Sequence, residues 1–251
     1  MLAAQRKDFL LARLARDRRL VAKDVAAELG VSEDSVRRDL RELAAAGLCQ
    51  RVYGGALPAS PAVADYGARR AVEVDSKQRV AVAAAALVRP GATVILDGGT
   101  TALAVTRALP RELAATVVTH SPTVAAALAG HPCVEVYVLG GRLFRHSMVT
   151  CGAAAVESAQ LVHADLFLLG VTGVHPEAGL TTGDADEAAM KRALAQRAAD
   201  TYVLASTEKI GAASPFTVLP LGDVAGVITN ASSQDEIIRR LSADGVPVIH
   251  A

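Results

Sequence analysis

From Asp75 onward the sequence alternates short apolar runs rich in β-branched residues with amphipathic stretches long enough for helices. Few folds accommodate that alternation. Strands buried on both faces read as continuous apolar runs, and an open parallel sheet covered by helices is the arrangement that buries them. The runs fall at Ala92–Leu96, Thr116–Thr119, Val134–Leu139, Asp165–Leu169, Thr201–Ala205, Val224–Thr229 and Val246–Ile249. The helical stretches fall at Ser76–Val88, Thr101–Leu109, Pro122–Leu128, Ala153–Leu161, Glu187–Ala199 and Ser233–Leu241. An α/β fold with an open, mostly parallel sheet is therefore expected for residues 75–251.

The first 57 residues have a different texture. Leu10 and Leu14 recur at helical spacing within Arg6–Arg16, and Val25, Ala26 and Leu29 line one side of Ala22–Leu29. Gly30 ends that helix, and Ser32 is a suitable N-cap for the next, with Val31 and Val36 placed as a hydrophobic staple. Val36, Leu40 and Leu43 then share one face, leaving Ser35, Arg37, Arg38 and Arg41 on the others. Gly47 stops the helix; Leu48–Tyr53 alternates like a strand, and Gly54-Gly55 supplies a turn. The order is that of a winged helix-turn-helix, with the motif itself at about residues 20–39. Between it and the sheet, residues 58–74 contain Pro58, Ser60, Pro61 and Gly67 with little periodicity. They read as a linker with a short helical piece at its end.

The formal net charge of zero conceals an asymmetry. Residues 1–56 hold 11 Lys and Arg against 8 Asp and Glu, whereas the remainder holds 15 against 18. A basic end on a slightly acidic body suits a head that meets nucleic acid. Although 51% of the residues are hydrophobic, no uninterrupted run approaches the ~20 residues of a membrane span, and no signal peptide is evident, so a cytoplasmic protein with no membrane partner is expected. Cys49, Cys133 and Cys151 form no metal or redox pair, and His131, His146, His163, His175 and His250 show no ligand spacing. No metal and no cofactor are expected.

A DNA reader needs polar side chains at the start of one exposed helix, where the major groove distinguishes the base pairs. Ser32, Ser35, Arg37 and Arg38 are assigned to groove or phosphate contacts, Arg41 to phosphate, and Arg51 and Tyr53 of the wing to backbone or minor groove. The run Val31-Ser32-Glu33-Asp34-Ser35-Val36-Arg37-Arg38-Asp39-Leu40, then Leu43, Gly47 and Arg51-Val52-Tyr53-Gly54-Gly55-Ala56, resembles the signature of DeoR-family repressors. That family usually has Thr at the position of Ser35 and His at that of Tyr53.

Phosphate is bound most readily by backbone N–H groups at a helix N-terminus preceded by small residues. Asp97, Gly98, Gly99, Thr100 and Thr101 follow a strand and open a helix in this way. In open α/β sheets ligands sit beyond the carboxyl ends of the strands. There the sequence also places His120 and Ser121, Gly140-Gly141-Arg142, Gly170–Gly173 and the Ser206–Gly211 loop with Lys209. These glycines, hydroxyls and cations suit a phosphorylated sugar. Residues 75–231 resemble the DeoR-type sensor, whose fold is similar to those of ribose-5-phosphate isomerase and glucosamine-6-phosphate isomerase. The resemblance implies that the Asp97–Thr101 loop holds the phosphate, with Gly140, Gly141 and Lys209 nearby. Where the family often reads Asp-Ser-Ser-Lys, this chain has Ser206-Thr207-Glu208-Lys209.

The expected protein is thus a repressor of carbohydrate genes with no catalytic residues, binding double-stranded operator DNA under control of a phosphorylated sugar. A homodimer or homotetramer is expected, because one small head binds DNA weakly and paired half-sites add affinity. The alternative is an active sugar-phosphate isomerase with a DNA-binding module, for which Asp184, Asp186, Glu187 and Lys191 are the available acid, base and cation. These residues open a helix, where carboxylates serve as caps and dipole partners.

Overall fold

Leu10, Leu14, Val25, Val36, Leu40 and Leu43 meet in one small core, and the elements that carry them form the N-terminal head. The computed structural model describes residues 2–60, 62 and 65–251; Pro61 of the expected linker lies outside the described residues. The head runs α1 (Ala3–Asp17), β1 (Leu20–Val21), α2 (Ala22–Leu29), α3 (Glu33–Ala45), β2 (Cys49–Val52) and β3 (Gly55–Pro58). Gly30 caps α2 in the left-handed region at φ 62°, a conformation that disfavours residues with a Cβ. The wing is an antiparallel sheet in the order β1-β3-β2. It takes in Pro58, the first residue of the expected linker. At Gly55 a Cβ would stand 1.7 Å from the carbonyl oxygen of Leu20, so only glycine lets the wing pass that close to β1.

Beyond the wing come α4 (Tyr66–Arg69) and α5 (Val74–Ala85), followed by β4 (Thr93–Leu96), α6 (Thr100–Ala108), β5 (Ala115–Thr119), α7 (Pro122–Leu128) and β6 (Val134–Val138). A hairpin of β7 (Arg142–Phe144) and β8 (Val149–Cys151) leads to α8 (Ala153–Ala159) and β9 (Ala164–Gly170). The chain continues through β10 (Gly173–His175), β11 (Gly179–Thr182), α9 (Ala185–Ala195), β12 (Ala198–Leu204) and β13 (Phe216–Leu219). It ends with β14 (Gly226–Thr229), α10 (Glu236–Ala243) and β15 (Val248–His250).

Seven of these strands form one sheet in the order β15-β14-β12-β9-β4-β5-β6, every pair parallel. They are the seven runs anticipated from the sequence. Side chains alternate between the faces. Leu166 and Leu168 pack with Val80, Val105 and Val124 of α5, α6 and α7, whereas Phe167 and Leu169 pack with Met190 and Leu194 of α9 and Leu241 of α10. Two apolar layers thus sandwich the sheet. The β7–β8 hairpin and a second antiparallel sheet, β10-β11-β13, were not anticipated.

The strand order reverses between β4 and β9: from β4 the chain moves to β5 and β6, and from β9 to β12, β14 and β15. That is a topological switch point, where the loops leaving adjacent strands diverge and open a crevice.

Candidate functional site

The α3 surface carries the first group of candidate residues. Ser32 caps the helix, its Oγ accepting from the Ser35 amide at 3.3 Å and lying 2.9 Å from the Ser35 hydroxyl. Arg37 folds back on Glu33, with Nε and Nη2 donating to Oε1 at 3.0 and 2.7 Å. The Arg41 Nε reaches the Arg37 carbonyl at 3.4 Å. Arg38, Arg51 and Tyr53 are exposed, and among the described residues no ion pair engages the two arginines. Asp39 does not neutralise any of the α3 arginines. It is buried and paired with Arg6 of α1, whose Nη2 donates to Oδ1 at 3.1 Å while Nε donates to Oδ2. This carboxylate therefore ties α1 to α3 and leaves the arginine face positive.

The second group lies at the switch point. Asp97 follows β4 and is completely buried. Its Oδ1 accepts from the Gly98 amide at 2.7 Å and meets His120 Nε2 at 2.7 Å; its Oδ2 accepts from the Gly170 amide at 2.8 Å and Lys191 Nζ at 2.6 Å. Burial alone would push this carboxyl up, but the Lys191 charge and the His120 hydrogen bond hold it well below the usual carboxylate range. Burial likewise opposes the charge on Lys191, and Asp97 together with Glu187 raises it above the ordinary lysine value. This carboxylate clamps the loops after β4 and β9 against each other. They approach so closely that a Cβ on Gly170 would lie 3.1 Å from the Gly98 carbonyl oxygen.

In front of this clamp is a cleft of about 30 Å³, walled by Gly98, Gly99, Thr100, Thr101, Thr172 and Lys209, among others. A single water needs ~10–15 Å³ on this measure, so a group of a few heavy atoms fits. Ala62, Ser147, Thr172 and Glu187 also border an adjoining recess of about 200 Å³, which reaches Phe144, His146 and Asp184. At the N-terminus of α6 the cap is Gly99, at φ 95°, and among the described residues no side chain caps the helix. A Cβ on Gly98 would stand 2.1 Å from Val149 Cγ1, so the loop admits no larger residue there without repacking. The Lys209 ammonium donates to Thr101 Oγ1 at 3.2 Å and to the Leu204 carbonyl at 3.1 Å. Burial pushes it down to about 8. Amides, hydroxyls and an under-compensated cation at a helix N-terminus make a site for an anion.

The structure thus brings Gly98, Gly99, Thr100, Thr101 and Lys209 together at one wall. Asp97, His120 and Ser121 are fully buried behind it. Ser121 caps α7, accepting from the Val124 amide at 3.5 Å, and its hydroxyl donates to the Met148 carbonyl at 3.1 Å. Gly140 and Gly141 lie exposed in the turn into β7 and form no part of the cleft wall. That placement departs from the expected gathering of all the loops beyond the strand ends: β6 is the outermost strand, and it is the turn of the β7–β8 hairpin, at Ser147, that reaches the cleft. Of the carboxylates weighed for catalysis, Asp184 caps α9 by accepting from the Glu187 amide at 3.0 Å, and Asp186 pairs with Arg142 at 3.0 Å. Glu187 and Lys191 do border the cleft, paired with each other at 3.2 Å.

Residues 6–61 match the DeoR-like helix-turn-helix domain model, and residues 72–231 match the model of the DeoR C terminal sensor domain. The chain belongs to the DeoR family. This DeoR-family protein is similar over nearly its whole length to the HTH-type transcriptional regulator GlpR of Haloferax volcanii, at 30% identity over 99% of this chain and 98% of the relative. It is 30% identical to a putative aga operon transcriptional repressor of Escherichia coli O157:H7, covering 98% and 93% of the two chains. It is 27% identical to the glycerol-3-phosphate regulon repressor of Escherichia coli K12, covering 88% of each. Ribose 5-phosphate isomerase A of Methanocaldococcus jannaschii aligns over 54% of both chains with a TM-score of 0.41 and 19% identity. The chain is a DNA-binding transcriptional regulator, not an enzyme. Among its described residues no helix is long and apolar enough to cross a membrane.

Two cleft residues of this DeoR-family regulator escaped the sequence reading. Arg69 of α4 and Lys77 of α5 both border the cleft, yet both come from the joint between linker and sensor. An arginine in the aperiodic linker and a lysine eight residues on, at the start of the first sensor helix, carry no motif, and such cations are usually solvated. Here both are buried.

Proposed function

We propose that this regulator represses carbohydrate-metabolism genes, that α3 and the wing hold operator DNA, and that a phosphorylated sugar in the cleft modulates the binding. Ser32, Ser35, Arg37, Arg38 and Arg41 lie against the major groove and its phosphates, with Arg51 and Tyr53 on the adjoining backbone. Gly98, Gly99, Thr100, Thr101 and Lys209 take the phosphate, and Asp97, His120 and Ser121 shape the loop from behind. Gly140 and Gly141 have no contact with the ligand in this reading. The head ends near Pro58, and the segment up to about residue 74 joins it to the sensor.

The observation that carries the reading is the chemistry of the cleft: a helix N-terminus with no side-chain cap faces a buried lysine that, among the described residues, has hydroxyl and carbonyl partners but no carboxylate bonded to it. A phosphate monoester supplies the missing negative charge. The adjoining recess accommodates the carbon chain and its hydroxyl groups. The glycerol-3-phosphate regulon repressor among the relatives favours a polyol-derived or sugar-derived phosphate. The protein acts in the cytoplasm as a homodimer or homotetramer, since two heads at fixed spacing reach useful affinity where one does not.

A thermal-shift screen of phosphorylated sugars and polyols against the purified protein tests this reading. At least one is expected to raise Tm in wild type, and Thr100→Ala to reduce the shift. A flat response to the whole set would contradict the proposal.

A further inference from the structure

We infer that Arg69 is a direct contact for the effector's anionic group, supplied by the linker, so that the cleft is complete only while the linker is docked on the sensor. The inference rests on the reading of the cleft as an anion site and adds a residue and a consequence to it.

Arg69 is only 9% exposed. Its Nη2 donates to the His146 carbonyl at 3.2 Å and to the Ser147 hydroxyl at 3.4 Å, which fixes the plane of the guanidinium. Its Nε is buried and has no partner among the described residues. The Nη1 atom lies 4.0 Å from where a Cβ on Gly99 would stand, which puts the guanidinium against the cap of α6. A buried donor without an acceptor carries a desolvation penalty, and a guanidinium presents its donors in a fork that matches two phosphate oxygens. The guanidinium and the Gly99–Thr101 turn therefore border the same cleft.

Glu208 contributes the complementary feature. Its Oε2 is likewise buried with no partner among the described residues, while its Oε1 accepts from the Ser206 hydroxyl at 2.7 Å. It too borders the cleft. An occupant that satisfies both atoms offers acceptor oxygens to Arg69 and a donor to Glu208, as a phosphate monoester with a neighbouring hydroxyl does.

Arg69 reaches the cleft only because its segment is tied down. Lys77 donates to the carbonyls of Arg69, at 2.7 Å, and Val72. The Tyr66 hydroxyl donates to Thr123 Oγ1 at 3.2 Å, and the Tyr66 amide to the His146 carbonyl at 3.0 Å. An anion held by Arg69 on one side and the α6 turn on the other fastens the linker to the sensor. Binding and linker docking then favour each other by linkage.

The full-length protein titrated with inorganic phosphate by calorimetry, together with limited trypsin digestion, tests the inference. Wild type is expected to bind phosphate and to be cut more slowly after Arg69 and Arg70 when phosphate is saturating. Arg69→Met is expected to weaken phosphate about tenfold or more, and Arg69→Lys, which keeps the charge without the fork, by less. DNA retardation reports whether each variant is folded; if Arg69→Met is not, Arg69→Lys and the wild-type digestion decide. Wild-type phosphate affinity in the Arg69 variants, with binding lost in Lys209→Met, would overturn the role of Arg69 while leaving the anion site standing. No phosphate binding by wild type would overturn both.

Discussion

Arg18, at the end of α1, donates from Nη2 to the carbonyl of Ile210 at 3.0 Å, and Ile210 follows directly on Lys209, whose side chain walls the cleft. The head and the start of the linker touch the sensor at further points. The Arg19 Nη1 lies 2.5 Å from Glu177 Oε1, Ala59 bridges to Ala213, and Ser60 donates to the carbonyl of Thr172, itself a cleft residue. The loops after β9 and β12 therefore face the cleft on one side and carry the head on the other. A ligand that shifts them has a direct mechanical route to α1.

Removing that contact should uncouple the two ends. Arg18→Ala is expected to keep both operator affinity and effector affinity while reducing the effect of one on the other, a coupling of about 1–3 kcal/mol in comparable systems. Operator titrations with and without saturating effector measure it directly.

On the DNA side, Arg38 is exposed and has no ion-pair partner among the described residues, whereas Arg37 is held by Glu33. Arg38→Ala should weaken operator binding by about 1–3 kcal/mol if the guanidinium reads a base, and should lower the salt slope by about one if it lies on a phosphate. Fluorescence anisotropy at several salt concentrations separates the two.

The Asp97 clamp predicts a large stability effect with no chemistry involved. Asp97→Asn leaves Lys191 buried without its main counter-charge and should cost about 3–5 kcal/mol, seen as a lower midpoint in urea. The folded carboxyl is held below its unfolded range. Its contribution is therefore full above the unfolded pKa of about 4 and drains away as the pH falls below it. Wild type should lose stability with acid more steeply than the Asn variant.

Lys209 sets the opposite dependence. Burial pushes its pKa down to about 8, below the ordinary lysine value of 10.5, so between these values the unfolded chain holds more protons and the protein gains stability as pH rises. An anion in the cleft restores the charge. Effector binding should therefore take up protons near pH 8 and weaken above it, which calorimetry in buffers of different ionisation enthalpy would show.

The parallel sheet was legible because Val94-Ile95-Leu96 and Leu166-Phe167-Leu168-Leu169 are continuous apolar runs, buried on both faces. The sheet β10-β11-β13 was not. It buries the polar residues His175, Thr181 and Thr182, so no apolar run marked it. The glycine-threonine turn was readable as a strand followed by small residues and a helix, a local pattern. The partners that make it a cleft are non-local: Arg69 is 30 residues upstream of Gly99, and Lys191 is 94 residues beyond Asp97. The rule that loops gather beyond the strand ends also treats every loop residue alike, whereas the chain after β6 borders the cleft through Ser147 and not through Gly140 and Gly141.

The most direct test of the whole account is an anisotropy titration of the full-length protein on a DNA fragment that it selects from a random pool, repeated with each of a panel of phosphorylated sugars. At least one sugar phosphate should shift the DNA affinity by about fivefold or more, and the shift should vanish in Thr100→Ala while DNA binding persists. Affinities unchanged by every compound, or a shift that survives in Thr100→Ala at full size, would contradict it.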